Sequence, residues 1–359
     1  MKRYGHLWEK VCELDNLWVA YQNARRGKTG YRQIKEFDPV AETKIPELRE
    51  LLLSGQYRTS KYKVFQLVER GKLRTIHALP FYPDRIVHHA ITQVCAPFWE
   101  RSLIRNTFAA LPGRGIHDGV KRIARTVIGS SGLYVLKVDV KQFYPSVDHD
   151  IMKGIVRRQI KDAALLCVLD EIIDSGPGLP IGNYLSQYFG NLILSPVDHY
   201  VTACLGFGMY YRYCDDLVVF HQSKKRLHWL RREIDGQLQA LRLEMKSNWQ
   251  VFPLADRGLD FIGYRFWPTH VLVRKKTIKR LRWRLKRKRM TLTEACRINH
   301  AARSFSGWLR YADATKLRRD VVLPALGDVH AYANRFRSHQ AHHPAVSKRL
   351  QHPCRLDAS

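Results

Sequence analysis

Tyr213-Cys214-Asp215-Asp216 lies between two runs suited to strands, Met209-Tyr210-Tyr211-Arg212 before it and Leu217-Val218-Val219-Phe220 after it. β-branched and aromatic residues on both sides of a short polar tip read as a hairpin. A hairpin tip sets two carboxylates side by side, and like charges that close repel unless a cation lies between them. Aspartate is also a common turn residue, so the tip taken alone reads as a polar turn as well.

A further acid, Asp139, shifts that balance. It ends the mostly apolar β-type run Leu133-Tyr134-Val135-Leu136-Lys137-Val138. One aspartate at the end of a buried strand and two at a hairpin tip can gather three carboxylates around two divalent ions. Two-metal sites hold their ions about 3.5–4 Å apart and stabilise the attacking and leaving oxygens of phosphoryl transfer. Mg²⁺ suits such a site because it takes few carboxylates and completes its shell with water and phosphate oxygens; Mn²⁺ is the alternative ion. One ion would activate a 3′-hydroxyl and the other would hold a triphosphate.

Asp139 followed by an aromatic at Tyr144, with the Tyr-Cys-Asp-Asp tip downstream, resembles the palm of a reverse transcriptase. The stretch between them, Gly178-Leu179-Pro180-Ile181-Gly182-Asn183-Tyr184-Leu185-Ser186-Gln187, narrows the resemblance. Most reverse transcriptases carry Gln where this chain has Ile181, and often Ser-Pro where it has Ser186-Gln187. The pattern is similar to the reverse transcriptases of diversity-generating retroelements. Gly113-Arg114-Gly115-Ile116-His117-Asp118, Asp260-Phe261-Ile262-Gly263-Tyr264 and Ser306-Gly307-Trp308-Leu309 extend the likeness over roughly residues 1–320.

The resemblance implies an α+β fold: a right-hand polymerase with fingers, an antiparallel-sheet palm and a small helical thumb. It implies fingers over 1–130, a palm over 131–265 with a helical insert at 151–175, a thumb over 266–320 and a variable tail over 321–359. Asp139, Asp215 and Asp216 would hold two Mg²⁺ ions with the Val140 carbonyl. Lys246 would protonate the leaving pyrophosphate; otherwise it is a surface charge. Arg74 would grip the incoming triphosphate through a forked guanidinium, assisted by Lys72 and Arg85. Tyr144 would select deoxynucleotides by crowding a 2′-hydroxyl, Gly182 would let backbone approach the templating pair, and Gln187 would bond a base, a sugar or a neighbouring strand. Ile181 puts an apolar group where an amide elsewhere helps hold the nucleotide, which implies weakened discrimination. Arg114 and Tyr213 would contact template or primer. Gly263 and Tyr264 would position the 3′ end.

The implied activity is RNA-directed DNA synthesis with errors at template adenines, producing cDNA for mutagenic retrohoming. Expected partners are a template RNA, the RNA/DNA hybrid, dNTPs and a small basic accessory protein. An antiphage-defence or group II intron-type reverse transcriptase is one rival reading, and a non-catalytic RNA-binding protein on a polymerase fold is another.

Composition agrees with a nucleic-acid partner. The 359 residues are 45% apolar, enough for a large core, and carry a net charge of +29. That surplus opposes compaction unless something anionic binds. An anionic membrane is the weaker candidate, because no 18-residue apolar stretch and no leader pattern is present. Seven cysteines without a Cys-x-x-Cys pair support neither a zinc ribbon nor a redox motif, and their odd number suits a reducing cytoplasm.

The remaining segments must position this chemistry. Residues 7–55 keep helical spacing. Residues 62–68 and 72–76 read as a strand pair turning at Gly71. Ile86 to Trp99 reads as an amphipathic helix, whose adjacent His88 and His89 do not share a face and so make a poor metal pair. Ile151 to Ile173 reads as helical, with Leu165, Leu166, Val168 and Leu169 buried, and residues 224–243 as a helix with Leu227, Leu230, Ile234, Leu238 and Leu241 on its stripe. Residues 274–289 hold eleven Lys and Arg and no acid, with Leu281, Trp283 and Leu285 interleaved. Arg274, Lys275, Lys276, Lys279 and Arg280 would lie along the template–primer duplex and neutralise phosphates. His330, His339, His342, His343, His352 and Cys354 match no standard zinc spacing, and the tail reads as disordered or partner-bound.

Overall fold

The computed structural model describes residues 3–69, 71–286 and 291–342. The chain forms two compact units, Met1–Gly115 with Val135–Val251 and Ile116–Tyr134 with Phe252–Ser359.

The first unit opens with helices. Leu14–Arg25 and Ala41–Leu53 bury Leu17, Ala20, Ile45 and Leu48. An aromatic cluster of Tyr21, Phe37 and Phe81 joins them to the chain that enters the helix Ile86–Ser102. Strands β1 (Lys63–Glu69) and β2 (Lys72–Ala78) pair antiparallel, with Leu67 opposite Arg74, and Gly71 takes the left-handed conformation at their turn. This hairpin stands clear of the core, with Val68 69% and Leu73 62% exposed.

The central sheet contains β3 (Tyr134–Asp139), β4 (Tyr210–Tyr213), β5 (Asp216–His221) and β6 (Gln250–Pro253), in the order β4-β5-β3-β6. β5 and β3 occupy the middle, which is why Leu217, Val218, Val219, Phe220, Val135, Leu136 and Val138 are all buried. Helices Ser186–His199 and Lys224–Ala240 pack on this unit, the second through the predicted leucine stripe.

The helical stretch Ile151–Ile173 is two helices, His149–Arg157 and Ala163–Asp174. Asp162 breaks it. Its carboxylate caps the second helix at the Leu165 N–H and also accepts the Leu7 and Trp8 N–H groups, 2.7 and 2.9 Å away. The start of the chain bridges here as well, Tyr4 donating to the Gln159 carbonyl at 2.7 Å.

The second unit has a three-stranded antiparallel sheet of β7 (Leu259–Phe261), β8 (Tyr264–Phe266) and β9 (Val271–Val273). Helices Lys275–Leu285 and Leu292–Leu309 follow. On the first, Leu281 and Leu285 are buried and Trp283 is 73% exposed. The tail is not disordered as far as it is described: a helix, Leu323–His342, runs there and buries Val329 and Ala333. Arg287, Lys288 and Arg289 of the basic run lie outside the described residues, as do His343, His352 and Cys354. No helix among the described residues is long and apolar enough to cross a membrane.

Candidate active site

The β4–β5 hairpin closes on the pair Tyr213–Asp216, which leaves only Cys214 and Asp215 in its loop. Cys214 has φ +52°, an uncommon value for a residue with a side chain. Arg212 braces that turn. Its guanidinium is fully buried and donates to the Cys214 carbonyl at 3.0 Å. Asp198 accepts from Arg212 Nε at 2.8 Å and from Nη2 at 2.7 Å, and the Asn191 carbonyl accepts from Nη2 at 3.1 Å. Tyr210 donates its hydroxyl to the same Asp198 at 2.6 Å. Burial opposes the charge on Arg212, and Asp198 outweighs that cost and keeps it protonated.

Asp139 ends β3 beside this loop. The Val140 N–H donates to the Asp215 carbonyl at 3.3 Å, and Val140 bridges antiparallel to Met245. Lys246 completes the junction: its N–H donates to the Asp139 carbonyl at 2.9 Å, and its ammonium lies 2.5 Å from Asp139 Oδ1. Burial, then the charges of Asp139 and Asp216, push the Asp215 carboxyl up to about 6. The three acids therefore share one electrostatic field.

Among the described residues no three His, Cys, Asp or Glu side chains are gathered closely enough to hold a metal ion as they stand. The donor set nevertheless fits a hard divalent cation. It is all oxygen, partly buried, and self-repelling enough to raise a carboxyl group above its ordinary range.

Tyr144 faces the same turn. Its hydroxyl lies beside the Cys214 thiol, and burial raises both groups, Cys214 to about 11, so the thiol is neutral at physiological pH. The Tyr144 carbonyl accepts from Leu179 at 2.8 Å. Gly178, at φ +55°, backs directly onto that carbonyl, where an added Cβ would sit 2.3 Å away.

The Ile181 loop is locked to β2. The Ile181 carbonyl accepts from the His77 N–H at 2.7 Å. Gly182, at φ +117°, approaches the His77 carbonyl so closely that a Cβ would lie 2.6 Å from it. Gly182 thus serves a close contact within the protein. Ile181 is half-buried and Gln187 exposed.

Arg74 is exposed on β2; of Lys72 only the backbone, paired with Glu69, is described. Arg85 is half-buried, and burial lowers its proton affinity. With Lys28, Lys61 and Lys63 it lines a cavity of about 370 Å³. Lys28 is lowered too, by burial and by Arg85. Arg114 is half-buried and donates to the Ile104 carbonyl at 3.3 Å. Tyr213 is half-buried on β4. His88 is buried, and His89 stacks on Tyr184 with ring centroids 4.1 Å apart.

In the second unit the β7–β8 turn is Ile262 and Gly263, both with positive φ. Tyr264 stacks on Trp308 at 5.3 Å and donates its hydroxyl to the Trp308 carbonyl. Arg274 pairs with Asp260, with Nε 2.6 Å from Oδ1. Lys275, Lys276, Lys279 and Arg280 are exposed along their helix, Arg280 over the Phe305 ring.

Sequence reasoning missed Arg212, Asn191 and Asp198. The available signals were an arginine inside a β-forming run and an aspartate on the apolar stretch Leu192-Ile193-Leu194-Ser195-Pro196-Val197.

A family model, reverse transcriptase (RNA-dependent DNA polymerase), matches residues 60–266, more than half of the chain. Protein YkfC of Escherichia coli (strain K12) is 25% identical over 64% of this chain and 71% of its own length. The group II intron-encoded protein LtrA of Lactococcus lactis subsp. cremoris is 22% identical over 55% of this chain and only 35% of its own. Among solved structures, apo telomerase from Candida tropicalis is similar, with TM-score 0.53 and 12% identity over 79% of this chain and 59% of that one. At that identity the likeness is one of fold, and the fold is that of a right-hand polymerase. The chain belongs to the reverse transcriptase family of RNA-dependent DNA polymerases.

Proposed function

We propose that this chain extends a DNA 3′ end on an RNA template, and that it does so as the error-prone polymerase of a diversity-generating retroelement in the cytoplasm. The observation that carries the catalytic reading is the shared field at the hairpin tip, where Asp139 and Asp216 help raise the Asp215 carboxyl.

Asp139, Asp215 and Asp216, with the Val140 carbonyl, would hold two Mg²⁺ ions. Bound there, the ions would supply charge neutralisation at a triphosphate and activation of a 3′-hydroxyl. The protein's own groups do the positioning. Arg212 fixes the Cys214 carbonyl and so the direction in which Asp215 and Asp216 leave the turn. Tyr144, anchored through its carbonyl, sets the floor under the sugar. Lys246, held at Asp139, is the proton donor for the leaving pyrophosphate. Arg74, Lys72 and Arg85 bind the triphosphate. Gly263, Tyr264 and the cations Lys275, Lys276, Lys279 and Arg280 carry the primer–template.

The retroelement assignment rests on Ile181 within Ile-Gly-x-x-x-Ser-Gln, with an accessory protein and a dedicated RNA as partners. The similarity to LtrA favours a second reading, a group II intron-type enzyme with the same chemistry.

Primer extension on RNA with Mg²⁺ and four dNTPs, followed by cDNA sequencing, tests both readings. Wild type and Ile181→Gln run side by side, with and without the accessory protein. Substitutions concentrated opposite adenines, and fewer of them in the variant, are expected. Faithful cDNA throughout would leave the intron-type reading. No cDNA from wild type under any condition would sink the catalytic one.

A further inference from the structure

The helix Lys224–Ala240 opens with Lys224, Lys225 and Arg226 and has no acid in its first turn. Three cations there oppose the helix dipole, a modest cost that nothing in the helix itself offsets. Its two nearest acids are engaged elsewhere: Glu233 accepts from the Tyr200 hydroxyl at 2.8 Å, and Asp235 pairs with Arg231 at 3.3 Å.

Aromatic rings interleave with these cations. Arg226 lies over Phe207, 5.4 Å from the ring centre, and Trp229 stacks on the same Phe207 at 6.4 Å and 27°. One turn further on, Arg231 lies over Trp249 at 5.0 Å. Ser223, Lys225, Arg226, Trp229 and Arg232 line an open cavity of about 500 Å³ without a carboxylate among them. Exposed cations beside a half-buried ring present phosphate partners and a stacking platform together, as single-stranded nucleic acid requires.

This surface is separate from the catalytic turn. β5 starts at Asp216 and ends at His221, whose ring lies 5.6 Å from Phe207. At roughly 3.4 Å per residue the strand spans about 17 Å, so a nucleotide at Asp216 does not reach the cations beyond His221.

We propose that Lys224, Lys225, Arg226, Trp229 and Arg232 form a second RNA-binding surface, which takes single-stranded RNA by phosphate contacts and stacking on Trp229. RNA is the occupant of choice because a template longer than the stretch being copied always trails an unpaired strand. The proposal takes from the preceding reading only that RNA is the template; it does not require that synthesis be mutagenic or that Asp139, Asp215 and Asp216 be active.

The experiment saturates the full chain with a blunt RNA/DNA duplex and then titrates a fluorescein-labelled 12-nucleotide oligouridylate, reading anisotropy across a salt series. Wild type is expected to bind the second RNA. The triple variant Lys224→Ala/Lys225→Ala/Arg226→Ala is expected to bind it at least tenfold more weakly, with the salt slope reduced by about 2. All three side chains are exposed, so thermal melting of that variant is expected to match wild type, as is extension on a short template. Trp229→Ala is expected to weaken binding by about fivefold or more. Equal affinity in wild type and the triple variant would overturn the proposal. So would loss of oligouridylate binding by wild type once the duplex is seated, or tighter binding of oligodeoxythymidylate than of oligouridylate. Failure of primer extension with oligouridylate binding intact would count against the polymerase reading and leave this surface standing.

Discussion

The Arg212 guanidinium lies 2.7 Å from the Asp198 carboxylate, and neither side chain is exposed at all. The pair joins the helix Ser186–His199 to the strand that carries the catalytic turn, so a defect in either partner is transmitted to Asp215. Asp198→Asn leaves a buried guanidinium uncompensated. It is expected to cost about 3–5 kcal/mol in urea unfolding, the range for breaking a buried ion pair from one side. A loss below about 1 kcal/mol would mean that Asn191 and the Cys214 carbonyl hold Arg212 without Asp198.

Lys246 has two roles that can be separated. If it donates a proton to pyrophosphate, Lys246→Met slows single-nucleotide addition by about 10²-fold or more. Lys246→Arg then fails to rescue, because a guanidinium keeps its charge but is a poor proton donor. If pairing with Asp139 is all that matters, arginine restores most of the rate. Rapid-quench kinetics on both variants distinguishes the two, and failed rescue is the expected result.

Tyr144 is expected to govern the choice of sugar. Tyr144→Ala removes the ring beside the Cys214 thiol while leaving in place the backbone anchor, the Tyr144 carbonyl that accepts from the Leu179 N–H. Discrimination between dNTP and rNTP is expected to fall by about tenfold or more, the effect of one lost steric contact in a pocket. Competition assays with matched dNTP and rNTP read it directly, and unchanged selectivity would make Tyr144 only a core aromatic.

Much of this site was legible in the sequence, and the gaps share a physical cause. Asp139, Asp215 and Asp216 could be found because apolar strands flank each of them, so local pattern alone marks a held acid. Arg212 could not, since an arginine in a β-run ordinarily faces water, and its partner Asp198 stands on a separate helix. The break at Asp162 was hidden for the same reason: its carboxylate answers N–H groups at Leu7 and Trp8, remote in sequence. The helix Leu323–His342 was obscured by its polar composition, although Val329 and Ala333 keep the i, i+4 spacing of a buried stripe.

Gly263 meets two demands at once. Its φ is +89°, and a Cβ built on it would lie 2.4 Å from the Trp308 ring. Gly263→Ala must therefore strain the backbone and push Trp308 off Tyr264. A loss of about 2–4 kcal/mol is expected, combining the conformational and overpacking costs. Near-ultraviolet circular dichroism of the tryptophans and denaturant unfolding measure it. A variant as stable as wild type would show that the Trp308 ring is not pressed against this turn.

His88 gives the chain a particular response to acid. Burial first, then the charges of Arg85 and His89, lower it from 6.5 to about 3, and its Nε2 has no hydrogen-bond partner. Because the folded value is the depressed one, the unfolded chain takes up a proton near pH 6.5 that the folded chain refuses. Stability from this residue is thus complete above pH 6.5 and is lost as the pH falls toward 3, at about 1.4 kcal/mol per pH unit. His89, lowered to about 4 mainly by burial, adds a second proton over the upper part of that window. His88→Leu is expected to remove one proton from the slope between pH 6 and 4.5 and to leave stability at pH 7.5 equal or slightly higher, since an unsatisfied buried nitrogen disappears. Urea midpoints measured at half-unit steps decide it. An unaltered slope in the variant would mean that His88 is protonated in the folded chain, and that Arg85 does not stand close enough to prevent it.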